Sequence, residues 1–128
     1  MPVSYRFDAE LGCVNTRCAG AVTFAEVRAH FRELEADASL PPRLDVLLDL
    51  SEMQSLPETQ QLEVLVGDIR RVSARIAWGA CAIVAVDDAL FGMSRMFGVF
   101  AEPQFERTCV FRDASMARNW LAQGEGST

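Results

Sequence analysis

The chain has 128 residues, half of them hydrophobic and 23% charged, with 12 basic against 18 acidic residues and a net charge of −6. A chain of that size and balance folds as a globular domain that buries about two thirds of the surface it exposes when unfolded. The acidic balance, with no basic run longer than Arg70-Arg71, argues against a nucleic acid or an anionic membrane as partner.

The opening "MPVSYRFDAE" is charged within six residues and has no apolar core behind a basic leader, so it does not read as a signal peptide. The longest uninterrupted apolar run is "AIVAV" behind Ala80 and Cys81, far short of the roughly 18 residues that cross a bilayer. A cytoplasmic protein without membrane insertion is expected. Its four cysteines, with no CxxC or Cys/His spacing, are expected as reduced, small core residues.

In chain order, "SYRFD" (4–8) and "CVNTRCA" (13–19) read as two strands joined by a turn in which Gly12 takes a positive φ. They predict an antiparallel hairpin with Cys13 and Cys18 on opposite faces. "TFAE" at 23–26 is a capping box that starts a helix with Phe24, Val27, Phe31 and Leu34 as its apolar stripe. His30, off that stripe and between Glu26 and Glu33, reads as a solvated residue of the helix face. "RLDVLLDLS" (43–51) is a strand dense enough in apolar residues to be covered on both faces.

A second capping box, "SLPE", places Ser55 as cap and Glu58 as its partner. The helix it opens carries Leu62, Leu65, Val66, Ile69, Val72 and Ile76 on one face. "ACAIVAVD" (80–87), almost wholly apolar, is the expected central strand. "DDALFGMSRMFGVF" (87–100) is the third helix and "RTCVFR" (107–112) the fifth strand. Asp113 caps a last helix with Ala117, Trp120 and Leu121 inward. The domain is expected to span 1–123, with 124–128 a flexible tail. Strands alternating with helices after a hairpin predict an α/β fold with a mostly parallel five-stranded sheet and four helices.

The hairpin, "LDVLLDLS" before a capped helix, "AIVAVDDALFGMSRMF" and "CVFRDASMARNWL" together resemble the SpoIIAA-like fold of STAS domains, over roughly Ser4 to Leu121. They are most similar to a bacterial STAS-like group of small proteins. The resemblance implies a regulatory or protein-interaction module. In the anti-sigma-factor antagonists of that family, a Ser in an Asp-Ser-Ser-Gly loop is phosphorylated. Here the comparable loop reads "EMQSLPE", which lacks that Asp and Gly, and Ser55 is the Ser near that place. Other proteins near this fold bind lipids or other apolar ligands, which makes a small apolar ligand the alternative.

Catalytic chemistry is hard to assemble from these residues. There is one His, no GxSxG elbow, no Gly-rich phosphate loop and no lysine, all 12 basic residues being Arg. The acids Asp49, Asp87 and Asp88 sit at strand ends, where ligands gather in parallel sheets. With Ser51 and Ser55 they form a possible anion, Mg²⁺ or switch site. The competing reading makes Asp87 or Asp88 the helix cap. No cofactor and no catalytic residue is expected.

On a helical wheel, Leu90, Met93, Met96, Phe97 and Phe100 fall in one arc of about 120°, facing the core. Phe91, Arg95 and Val99 fall outside it, with Gly92 leaving a gap, and Phe105 is a candidate to cover Phe91. A ring, a guanidinium and a small apolar residue are the composition enriched at interfaces. Phe91, Gly92, Arg95, Met96 and Val99 are therefore the expected partner- or ligand-binding residues. The expected partner is a second copy, giving a homodimer, or another regulatory protein.

Overall fold

The structure, a computed structural model, describes residues 2–123. The expected tail at 124–128 lies outside the described residues. The elements run β1 (Val3–Asp8), β2 (Cys13–Gly20), α1 (Phe24–Ala36), β3 (Arg43–Met53), α2 (Thr59–Val72), β4 (Ala77–Val84), α3 (Asp88–Ala101), a 3₁₀ turn (Glu102–Gln104), β5 (Arg107–Phe111) and α4 (Ala114–Gln123). They form a mixed sheet in the order β1-β2-β3-β4-β5, with β1 antiparallel to β2 and every later pair parallel.

Parallel neighbours joined in one direction put each right-handed crossover helix on the same face. α1, α2 and α3 accordingly share one core with Val14, Leu44, Leu50, Cys81 and Ile83. α4 follows the last strand and is free of that constraint. It turns back onto the other face, where Ala117 and Leu121 pack on Cys13, Leu47, Ala80, Ala82 and Val84. Cys13 and Cys18 thus point to opposite cores, as their spacing predicts.

Local signals place most of the element ends. Gly12 takes φ +64° in the hairpin turn, a conformation that costs a residue without Cβ nothing. Thr23 and Glu26 exchange their two capping bonds at 3.1 and 2.8 Å. Asp113 Oδ1 accepts from the amides of Ser115 and Met116 at 2.7 and 3.2 Å and so caps α4.

Three boundaries differ from expectation. α2 ends at Val72, so Ile76, expected on its apolar face, lies past the helix. α2 starts at Thr59, with Glu58 as its N-cap residue and the Glu58 amide donating to Gln61 Oε1 at 2.9 Å. Ser55 is therefore not the cap. Pro57 disfavours a helical Leu56, so the chain stays extended for another turn's length. β4 begins at Ala77 rather than at 80, because Arg43 and Leu44 pair with Ala77 and Trp78. Nor is β4 the middle strand: it lies one place in from the edge, and β3 is central. Its continuous apolarity reports helices on both faces, not its rank in the sheet.

Candidate functional site

α3 begins where the Asp87 carboxylate accepts from the Leu90 amide at 3.1 Å. Its buried residues are Leu90, Ser94, Phe97, Gly98 and Ala101. The inner stripe is thus rotated from the one the wheel predicts. Small side chains at 94, 98 and 101 let the helix sit close on the strands, whereas a wheel weighted by hydrophobicity turns it toward the methionines. Met96, expected inside, is 39% exposed, and Val99 is 66% exposed.

Phe91 is not an outward ring. It is half-buried against the core, and the Arg112 guanidinium lies over it at 4.2 Å from the ring centre. Arg112 is held there by the Val86 carbonyl at 2.8 Å and Asp88 Oδ1 at 2.7 Å. Phe105, the alternative candidate to cover it, packs on Trp78 instead, with ring centroids 5.8 Å apart. Beyond its first turn, the exposed surface of α3 is Gly92, Arg95, Met96, Val99 and, just past the helix, Glu102. Met96 leans toward α2, where its sulfur meets Thr59 Oγ1 at 3.8 Å. The Arg95 and Glu102 side chains make no ion pair or hydrogen bond with another described residue.

Beside that surface runs a groove of about 360 Å³ between α3 and β5. Phe91, Arg95, Val99 and Glu102 line its helix side, and Thr108, Cys109 and Val110 its strand side. Consecutive residues of a strand point to alternate faces. A groove touching all three therefore follows the backbone of β5, which is an edge strand.

At the C-terminal end of the sheet, Asp49 and Ser51 bond to each other and the other three candidate residues are engaged elsewhere. Asp49 Oδ1 accepts from the Ser51 amide at 2.9 Å and hydroxyl at 2.6 Å. Asp87 caps α3, and Asp88 pairs with Arg112 at 2.7 Å. Ser55 ties two loops together: its hydroxyl accepts from the Val22 amide at 3.0 Å and donates to the Val22 carbonyl at 2.9 Å. Among the described residues no three His, Cys, Asp or Glu side chains are grouped to hold a metal ion.

Between the sheet and the layer of α1, α2 and α3 lies an apolar cavity of about 100 Å³. Val14, Leu48, Leu65, Ile83 and Phe97 are among its walls, and three polar side chains, Thr16, His30 and Ser94, also face it. The Ser94 hydroxyl is buried without a hydrogen-bond partner among the described residues. His30, expected in solvent, is buried, with Nε2 3.2 Å from Thr16 Oγ1 and its ring edge-on to Tyr5 at 5.4 Å. Burial pushes its pKa down to about 4. A signal for this was present, since residues 27, 30 and 34 share a helix face as well as 27, 31 and 34.

Sequence reasoning also passed over Asp68, which is buried on the inner side of α2. Arg28 of α1 grips it through two bonds at 3.0 and 3.1 Å, and Arg71 adds one at 2.9 Å. Burial raises the pKa of its carboxyl, but the two guanidiniums outweigh burial and hold it below the usual range. The cluster joins α1 to α2 and is structural. All four cysteines are free thiols. Burial pushes Cys13 and Cys18 up to about 11 and Cys81 to about 12, which keeps them protonated and inert.

No protein-family model matches the chain, and no curated protein sequence does. Among solved structures the chain is similar to an uncharacterised protein of the DUF3478 family, with a SpoIIAA-like fold, from Shewanella loihica PV-4. The two share 16% sequence identity at a TM-score of 0.63, over 93% of this chain and 91% of that one. The architecture is thus SpoIIAA-like, as the order of elements predicts. Among the described residues no helix is long and apolar enough to cross a membrane.

Proposed function

We propose that the chain is a non-catalytic interaction or regulatory module of the STAS-like kind, and that it works by contact through the outer face of α3 and the adjoining edge of β5. One observation carries this reading. A helix whose only charged residues are Asp88 and Arg95 leaves Val99 66% exposed, next to a guanidinium with no partner among the described residues and a groove of about 360 Å³. Lone exposed apolar residues are ordinary. An apolar ridge beside an open strand edge is a surface that proteins otherwise cover or charge.

The test uses Val99→Asp and Met96→Asp, separately, in the tagged full chain on resin with lysate of the native host. Both positions are exposed, so each substitution should leave stability within about 0.5 kcal/mol. The expected result is a protein that the unmodified chain retains and both variants lose. Identical retained sets for all three would overturn the reading.

A second reading, a carrier for a small apolar or lipid-like molecule, is favoured by the unpartnered Ser94 hydroxyl on the wall of the interior cavity. A buried hydroxyl without a partner costs free energy, and a ligand with one polar atom would relieve it. The cavity of about 100 Å³ is smaller than the 150 Å³ kind that takes benzene. An alkyl chain would therefore enter only by lifting α3 or α2. Native mass spectrometry of freshly purified protein checks this: a retained small molecule supports the carrier, and bare chain mass counts against it.

A further inference from the structure

The charges on the outer face of α3 have a self-complementary spacing. Arg95 and Glu102 lie seven residues apart, two helical turns or about 10.5 Å, and so on the same side of the helix axis. The backbone keeps helical angles through Glu102. Both side chains flank the groove, and neither has a partner among the described residues. Midway between them, at Gly98 and Val99, the ridge is apolar, with Val99 its most exposed member.

We propose that this face receives a second copy of the same chain, with the two α3 helices antiparallel about a twofold axis that passes by Gly98 and Val99. This rests on the reading of α3 as the contact face, and adds to it the occupant and the register. In that register Arg95 of each copy meets Glu102 of the other, so one sequence supplies two identical ion pairs, the self-complementarity that a twofold interface requires. Val99 meets its own counterpart at the axis. The strand floor of the groove falls at the same level, because Gly98 lies over Thr108, where an added Cβ would stand 3.7 Å from Thr108 Oγ1. The axis therefore passes close to the middle of β5, and the second copy covers the open edge strand as well as the helix. Two like charges at these positions, such as Arg95 with a second Arg at 102, would instead face each other in a twofold contact.

Sedimentation equilibrium of the full chain over about 1–500 μM in 0.15 M NaCl tests the proposal. The expected result is a concentration-dependent dimer. Arg95→Glu and Glu102→Arg should each weaken it on the order of tenfold or more, since each replaces two attractions with two repulsions. An equimolar mixture of the two variants should then associate, because every contact between unlike variants is again opposite in sign. The doubly reversed chain should also dimerise. A monomer at the highest concentration overturns the second copy as occupant, while a host protein lost on Val99→Asp would leave the contact face standing. A dimer indifferent to both reversals, or reversed variants that fail to complement each other, overturns the register.

Discussion

Replacing His30 with Gln isolates the one imidazole of the chain, buried against Thr16, Tyr5 and Phe31. Gln keeps an amide that can reach Thr16 Oγ1 and cannot titrate near neutrality. In the folded chain burial holds the His30 pKa at about 4, below the ordinary 6.5. The folded state thus binds fewer protons than the unfolded state between those two values. Stability is complete above about pH 6.5 and is lost as the pH falls from there toward 4.

The size of the loss follows from the gap. It is about 2 kcal/mol between pH 8 and pH 5, and about 3 kcal/mol near pH 4, where the imidazole starts to charge in place. For a domain with a few kcal/mol in reserve this is a large fraction. Ordinary carboxylates titrate over the lower part of that range as well. The quantity to measure is therefore the difference between the parent and His30→Gln in urea unfolding, followed by tryptophan fluorescence at pH 8, 7, 6 and 5. Near pH 8 Gln should be the less stable, having lost the ring contacts with Tyr5 and Phe31. The gap should close by about 2 kcal/mol by pH 5. A gap constant across the series, or an imidazole proton resonance titrating near pH 6.5 in the folded protein, would refute the buried neutral His.

Two further outcomes follow from the interior. Ser94→Ala removes a buried hydroxyl that lacks a partner and substitutes the best helix former, so it should stabilise by about 1 kcal/mol and raise the melting temperature by about 3–5 °C. Destabilisation would mean that the hydroxyl is in fact satisfied, by water or by a held molecule. Among the cysteines only Cys109 is part-exposed. A disulfide reagent should therefore label one thiol per native chain promptly and four in urea, and prompt labelling of two or more would contradict the burial of Cys13, Cys18 and Cys81.

The order of elements was readable because it rests on signals that need no tertiary knowledge. The Thr23-Glu26 box, Gly12 in its turn, the Asp87 and Asp113 caps and the apolar face of α2 from Leu62 to Val72 all act within a few residues, and the structure places each as expected, with Ile76 alone falling past the end of the helix. The misreadings share one cause, that a wheel or an alternation pattern ranks residues by hydrophobicity whereas packing also selects by size and by available partners. His30 is inside because Thr16 on a neighbouring strand gives its nitrogen a partner. Ser94 and Gly98 are inside because β5 lies close, which turns Met96 out. Phe91 is covered by Arg112, twenty-one positions away, which no local pattern reaches.

That last contact narrows the candidate surface in a way that bears on how it works. With the Phe91 ring capped by Arg112, and Arg112 in turn held by Asp88 and the Val86 carbonyl, the large apolar side chain of the N-terminal half of α3 is covered by its own chain. What remains open is the C-terminal half, where Val99 stands between Arg95 and Glu102. A surface whose exposed apolar part is only Val99 and Met96 cannot bind tightly by area alone. Its selectivity has to come from the two charges that frame it, which is why exchanging their signs tests recognition here more sharply than removing the valine does.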